Sequence, residues 1–121
     1  YVSPRAKIGK GTIIMHGAVV NANAIIGKNC IINTSCIVEH DVIVADHCHV
    51  STGAILNGKV FLGKGSFVGS GSVVKEEVKI GNNCVISANT FLRQNLAAGT
   101  IYFNKNTWLF RTLNNQNELL N

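Results

Sequence analysis

Residues 39–41 read Glu-His-Asp, which places one imidazole between two carboxylates. An adjacent carboxylate can fix the tautomer of a histidine ring and stabilise its protonated form, so that the ring accepts a proton near neutral pH. Either Glu39 or Asp41 could give that support. The stretch therefore indicates that His40 is a general base, provided that the fold brings a reacting molecule to it.

An unbroken six-residue period must position this histidine. Val, Ile or Leu occupies every sixth position from Val2 to Leu92, and a small residue usually follows four positions after each of these anchors. Neither an α-helix nor an amphipathic strand has a period of six. Glycine recurs with a spacing of eighteen, at positions 9, 27, 63, 81 and 99, with alanine at 45. Three hexads therefore form one coil of an all-β solenoid.

The solenoid is predicted to be a parallel β-helix of about five coils over residues 1–100, whose coils hydrogen-bond to one another about 4.8 Å apart. One corner of the coil reads IGKG, IGKN, LGKG or IGNN, where we expect the turn to use glycine's freedom at positive φ. Residues 101–121 leave the period. We predict that this tail covers the open end of the solenoid, whose unpaired edge would otherwise favour aggregation.

The coil length brings a second residue to the histidine. Eighteen residues per coil stack Gly58 directly on His40. Glycine lets a ligand approach the backbone closely, and its N–H could stabilise a developing oxyanion. A proton acceptor and a backbone donor about 5 Å apart along the solenoid axis suit acyl transfer.

The remaining chemistry-bearing side chains favour no second mechanism. His47 and His49 flank an inward cysteine, but zinc needs three or four convergent ligands, and we predict no metal. His16 and His47 are expected to be solvated surface residues. The four cysteines fall at the small inward position, which predicts buried, unpaired thiols and suits a reducing cytoplasm: Cys30, Cys36, Cys48 and Cys84.

The distribution of charge limits the kinds of partner that the chain is expected to bind. The net charge of +5 is dispersed along the chain, which suits a phosphate-bearing small ligand and predicts no nucleic-acid partner. No continuous apolar run is long enough to span a bilayer, so we predict no membrane span.

The period resembles the hexapeptide-repeat family, and that resemblance implies a left-handed parallel β-helix. Within it, the stretch NTSCIVEHDVIVADHCHVSTGAILNGKV is similar to nucleotide-sugar acetyltransferases of the sialic acid and bacillosamine type. The matching motifs are N-T-S-x-x-x-E-H-[DE], then H-V-S-x-G-A and G-x-V. This resemblance implies acetyl-CoA as co-substrate, a nucleotide-sugar acceptor, and a homotrimer with active sites between subunits.

The resemblance also implies roles for individual residues. His40 matches the general base and Asp41 the acid that raises its basicity. The other matches are Asn33 beside the acceptor sugar, Gly58 aimed at the thioester oxygen, and His49, Ser70 and Ala88 along coenzyme A. In a trimer, His40 and the coenzyme A residues would come from different subunits.

We therefore predict a cytoplasmic, acetyl-CoA-dependent enzyme that moves the acetyl group directly to the amino group of a UDP-4-amino-sugar, with His40 as base. O-acetylation of a sialic acid or related sugar is the alternative within this class. A non-catalytic β-helix that binds or supports a partner is the alternative outside it. Family members usually carry a Rossmann-like domain before the β-helix, and we expect the residues that select the acceptor to lie in such a domain.

Overall fold

Each six-residue unit of the chain folds into one two-residue strand followed by a turn. The structure, a computed structural model, describes residues 1–104. The predicted covering of the solenoid end by the tail lies outside the described residues from position 105 onward. Within residues 1–104 there is no helix that could cross a membrane.

Sixteen strands follow one another in this part of the chain. In chain order they are β1 (Lys7–Ile8), β2 (Ile13–Ile14), β3 (Val19–Val20), β4 (Ile25–Ile26), β5 (Ile31–Ile32), β6 (Ile37–Val38), β7 (Ile43–Val44), β8 (His49–Val50), β9 (Ile55–Leu56), β10 (Phe61–Leu62), β11 (Phe67–Val68), β12 (Val73–Val74), β13 (Lys79–Ile80), β14 (Val85–Ile86), β15 (Phe91–Leu92) and β16 (Ile101–Tyr102).

From β1 to β15 each strand pairs in parallel with the strand three further along, and β16 pairs with β14, so the chain forms three sheets that we call faces. The first face is β1-β4-β7-β10-β13, the second is β2-β5-β8-β11-β14-β16, and the third is β3-β6-β9-β12-β15. From β1 to β15 paired residues are eighteen apart, as in Ile37 with Ile55 on the third face. The predicted all-β, left-handed parallel β-helix of about five coils is confirmed.

The aliphatic anchors form a single continuous core inside the prism. From Val20 to Leu92 every anchor is buried, whereas Val2 and Ile8 keep 38% and 37% of their surface exposed because no coil lies below them. Burying one such side chain is worth about 1.5–3 kcal/mol, and the stacked anchors therefore supply most of the stability.

The small inward residues do more than fill the corner. Their hydroxyl and thiol groups donate hydrogen bonds to backbone carbonyl oxygens of the next coil: Thr12 Oγ1 to Gly27 at 2.7 Å, Cys48 Sγ to Gly63 at 3.1 Å and Ser66 Oγ to Gly81 at 2.9 Å. This ladder satisfies carbonyls that the tight turn leaves without a strand partner.

The glycine-rich corner uses its two glycines differently. The expectation of positive φ holds for the second one, with φ of 77° at Gly11 and 72° at Gly65. The first glycine does not have positive φ and is required for space. A Cβ at Gly63 would lie 2.4 Å from the carbonyl carbon of Gly81, inside any acceptable contact.

The eighteen-residue coil shortens at the C-terminal end. Leu96 bridges Ile80 and Ile101 pairs with Val85, both with a spacing of sixteen. Leu96 is buried and takes the inward place that the period assigned to position 98. The loss of two residues from one turn explains why the six-residue pattern ends after Leu92.

Candidate active site

His40 follows β6 at the corner between the third and first faces, which we call the His40 corner. Its Nδ1 lies 2.9 Å from Asp41 Oδ2. Since a carboxylate can only accept, Nδ1 carries the proton and donates it, and Nε2 of the neutral ring is left with its lone pair free. The two side chains are 55% and 45% exposed. The pair thus presents an unprotonated, accessible nitrogen, as a general base requires.

Gly58 lies directly against the imidazole, one coil further along. A backbone hydrogen bond fixes the register of the two coils: Lys59 N–H donates to His40 O at 3.0 Å. A Cβ at Gly58 would lie 2.5 Å from His40 Nε2 and 2.6 Å from Cε1, so only glycine leaves room for the ring. Within residues 1–104 the Gly58 N–H donates no hydrogen bond. A free backbone donor therefore borders the free ring nitrogen.

The structure distinguishes the two carboxylates that flank His40. Glu39 Oε1 accepts a hydrogen bond from Asn21 Nδ2 in the coil below, while Asp41 faces the imidazole. Of the two acids that the sequence left open, Asp41 is the one in contact with the ring. Asn21 was missed by the sequence reasoning, although it precedes Glu39 by one coil of eighteen residues.

A second polar group lies where the second face turns into the third, and its histidine belongs to β8 of the second face. Asn33 Nδ2 is 3.1 Å from His49 Nε2. The His49 ring also meets the Phe67 ring edge to face, with centroids 5.2 Å apart and planes at 85°. The sequence predicted sites at Asn33 and His49 but did not pair them. It missed Phe67, which stands one coil after His49 on the same face.

The small residues beside this group form one column along the corner between the second and third faces, which we call the Thr34 corner. Hydrogen bonds join successive coils there: Gly53 N to Thr34 O, Gly71 N to Thr52 O and Asn89 N to Ser70 O, at 2.9, 2.9 and 2.8 Å. The column runs Thr34, Thr52, Ser70 and Ala88. Ser70 Oγ also lies 2.9 Å from Ser51 Oγ.

The predicted residues thus fall into two groups within one chain. His40, Asp41 and Gly58 come together at the His40 corner, whereas the other predicted residues lie at the Thr34 corner: Asn33, His49, Ser70 and Ala88. Thr34 and His40 are six residues apart along one coil, which separates the corners by on the order of 15–20 Å. Within one chain the two groups are therefore not in contact with each other.

The cysteines belong to the core, as predicted. All four are free and buried. Burial raises the pKa of the Cys36 thiol to about 11. The neighbouring Cys30 thiol and burial also raise the pKa of Cys48. Within residues 1–104 no group of three His, Cys, Asp or Glu side chains is arranged to hold a metal ion.

The family model described as the GMPPB C-terminal domain matches residues 1–94. Among curated proteins, none matches this chain. The chain is similar to the acetyltransferase domain of PglB from Neisseria gonorrhoeae FA1090, with 32% identity, a TM-score of 0.80, and coverage of 81% of this chain and 48% of that one.

Two further solved structures are similar. A mutant of perosamine N-acetyltransferase from Caulobacter crescentus, in complex with CoA and GDP-perosamine, is 31% identical with a TM-score of 0.84, over 85% of this chain and 49% of that one. WeeI from Acinetobacter baumannii AYE, at 22% identity and a TM-score of 0.80 over 87% and 55%, shares the fold. The chain spans about half the length of these proteins.

These matches confirm the resemblance to hexapeptide-repeat nucleotide-sugar N-acetyltransferases that the sequence motifs indicated. Because the family model covers residues 1–94 of the 121, the chain belongs to the family described as the GMPPB C-terminal domain.

Proposed function

We propose that this chain transfers the acetyl group of acetyl-CoA to the amino group of a nucleotide-linked amino sugar, with His40 as the general base. The observation that carries the proposal is the His40 corner, where an imidazole oriented by Asp41 has its free Nε2 against Gly58. The similar perosamine N-acetyltransferase, solved with CoA and GDP-perosamine, supports both the co-substrate and the acceptor class.

The reaction follows from the protonation states at this corner. The amine nitrogen of the sugar attacks the thioester carbonyl carbon as His40 Nε2 takes the amine proton. The carbonyl oxygen becomes an oxyanion within reach of the Gly58 N–H, and the imidazolium is stabilised by the Asp41 carboxylate. When the intermediate collapses, the carbon–sulfur bond breaks and the leaving thiolate takes the proton back from His40. The products are the N-acetyl sugar and free CoA.

The acyl donor would lie along the Thr34 corner. Its column of small side chains, with Ser70 and Ala88 both exposed, leaves room for the narrow pantetheine arm. The roles of Ser70, Ala88 and His49 toward coenzyme A, and of Asn33 near the acceptor, are part of this proposal. The net charge of +5 favours a ligand that carries phosphates.

A homotrimer would join the two corners into one site. The third face separates them, and its outward residues are apolar along the whole length: Val19, Ile37, Ile55, Val73 and Phe91. The outward positions of the first face, by contrast, include Lys7 and Lys79. If three chains bury this face around a three-fold axis, the His40 corner of one meets the Thr34 corner of the next.

The experiment is an acetyl-transfer assay. The protein is incubated with acetyl-CoA and, separately, with UDP- and GDP-linked 4-amino sugars, a CMP-linked sialic acid and a UDP-sugar without an amine. CoA thiol release and product mass are recorded. Transfer to an amino sugar supports the proposal and identifies its nucleotide. Acetylation of hydroxyl groups alone would move the assignment to O-acetylation, and no transfer with any acceptor, together with no thermal protection by CoA, would refute it.

We propose that the protein acts in the cytoplasm, and the four unpaired thiols support this compartment.

A further inference from the structure

The imidazole of His49 is held on two sides by residues of neighbouring coils. Asn33 in the coil below places its Nδ2 3.1 Å from His49 Nε2. Phe67 in the coil above presents its ring at 85° to the imidazole, with the centroids 5.2 Å apart. The ring is half-buried and has little freedom to rotate between these contacts.

The orientation of the Asn33 amide determines the tautomer of His49. Asn33 Oδ1 accepts a hydrogen bond from Thr34 N–H at 2.7 Å, and Thr34 Oγ1 lies 3.2 Å from the same oxygen. With the oxygen held by these donors, the atom facing His49 is the NH₂ group, which can only donate. Nε2 of His49 must therefore accept, and its proton lies on Nδ1.

The Nδ1–H of His49 is then available to a ligand. Within residues 1–104 it donates to no side chain or backbone oxygen. It stands beside the Thr34 corner, where the proposed function places the acyl donor. Acetyl-CoA carries carbonyl oxygens, in its thioester and in the two amides of its pantetheine arm, and these are acceptors for a neutral N–H donor.

We propose that Asn33 and Phe67 are positioning residues that hold His49 as the neutral Nδ1–H tautomer, so that Nδ1–H donates a hydrogen bond to a carbonyl oxygen of acetyl-CoA. This inference rests on the proposed function for its ligand, but its tautomer is a property of the free protein. It gives Asn33 a second role beside its proposed place near the acceptor sugar: its amide also orients the His49 ring.

The test begins with the free protein, labelled uniformly with ¹⁵N. Long-range ¹H–¹⁵N correlation spectra distinguish the two neutral tautomers and the imidazolium, and the chain has four histidines to assign, with His49→Gln identifying one set. We expect His49 to be the Nδ1–H tautomer. In Asn33→Asp a carboxylate faces Nε2, and the spectrum should change to Nε2–H or to the doubly protonated ring. Asn83→Asp, at the remote glycine-rich corner, adds the same charge and should leave His49 unchanged.

The second arm adds acetyl-CoA. The His49 Nδ1–H signal should shift on titration, and Asn33→Asp should raise the KM for acetyl-CoA by about 3- to 10-fold, the loss expected for one neutral hydrogen bond. Phe67→Leu should broaden the His49 signals by allowing the ring to rotate. A wild-type Nε2–H tautomer, or an unchanged tautomer in Asn33→Asp, would overturn the positioning role. A titration that shifts signals of Thr52 and Ser70 but not His49 would overturn the contact, whereas no response anywhere would refute the proposed function itself.

Discussion

The contact between Gly58 and His40 gives the sharpest perturbation, the substitution Gly58→Ala. Alanine keeps the backbone N–H that we propose as the oxyanion donor. Gly58 is not among the residues with positive φ, so the backbone accepts a side chain without strain. The added methyl group therefore acts on one neighbour, the imidazole ring.

The displacement follows from the distances. The new Cβ would lie 2.5 Å from His40 Nε2 and 2.6 Å from Cε1, whereas ordinary contacts begin near 3.4 Å. The ring must therefore retreat by roughly 1 Å, and a misplacement of that size in a reacting group lowers the rate by about 10²-fold. We expect kcat for acetyl transfer to fall by about that factor while the fold is retained.

The assay is a double-mutant cycle with kcat/KM measured for the wild type, Gly58→Ala, His40→Ala and the double variant. If the methyl group acts only through the ring, Gly58→Ala has no further effect once His40 is alanine. Gly99→Ala is the matched control, because its φ of 76° makes a side chain strained although nothing lies within 4 Å. It should lower the melting temperature and leave kcat unchanged. A Gly58→Ala enzyme within about twofold of wild type, or an equal loss in both backgrounds, would refute the reasoning.

Three further predictions concern the base, the interface and the core. Asp41→Asn should lower kcat by about 10-fold, the difference between a charged and a neutral hydrogen-bond partner, and should change the pH–rate profile; an unchanged profile would contradict its role. Ile55→Asp should dissociate the proposed trimer in sedimentation measurements and abolish transfer, because the proposed interface would then bury an unpaired charge, whereas Ile43→Asp on the first face should do neither; a trimeric Ile55→Asp protein would exclude the third face as the interface. Burial raises the pKa of Cys36 from 9.0 to about 11, so the folded state holds this proton more tightly. The free energy of unfolding in urea should therefore fall between pH 9 and 11 by up to about 2–3 kcal/mol. Cys36→Ala should abolish this decrease. A decrease of the same size in Cys36→Ala would show that another group causes it.

The fold could be predicted because it follows from the number of residues in each repeat and in each coil. Anchors every six residues and coils every eighteen place Gly58 on His40 whatever the side chains between them do. A step of eighteen residues from each polar or aromatic residue of the site also leads to Asn21 and Phe67. The shortened coil at Leu96 was not predictable in this way, because it depends on which apolar side chain best fills the end of the core.

The details of the site depend on side-chain contacts that the repeat length does not determine. Glu39 and Asp41 are equivalent neighbours of His40 in sequence, and they are distinguished by the hydrogen bond that Asn21 makes to one of them. The tautomer of His49 likewise depends on how the Thr34 backbone orients the Asn33 amide.

Single-turnover acetyl transfer by wild-type and His40→Ala protein tests the central claim most directly. Both are loaded with acetyl-CoA, mixed with the amino-sugar nucleotide that the acceptor panel identifies, and followed by CoA thiol release, with the fold and the CoA affinity of the variant checked beforehand. Removal of the general base should slow the chemical step by about 10²- to 10⁴-fold while CoA still binds. A folded, CoA-binding His40→Ala protein that transfers acetyl at the wild-type rate would contradict the account.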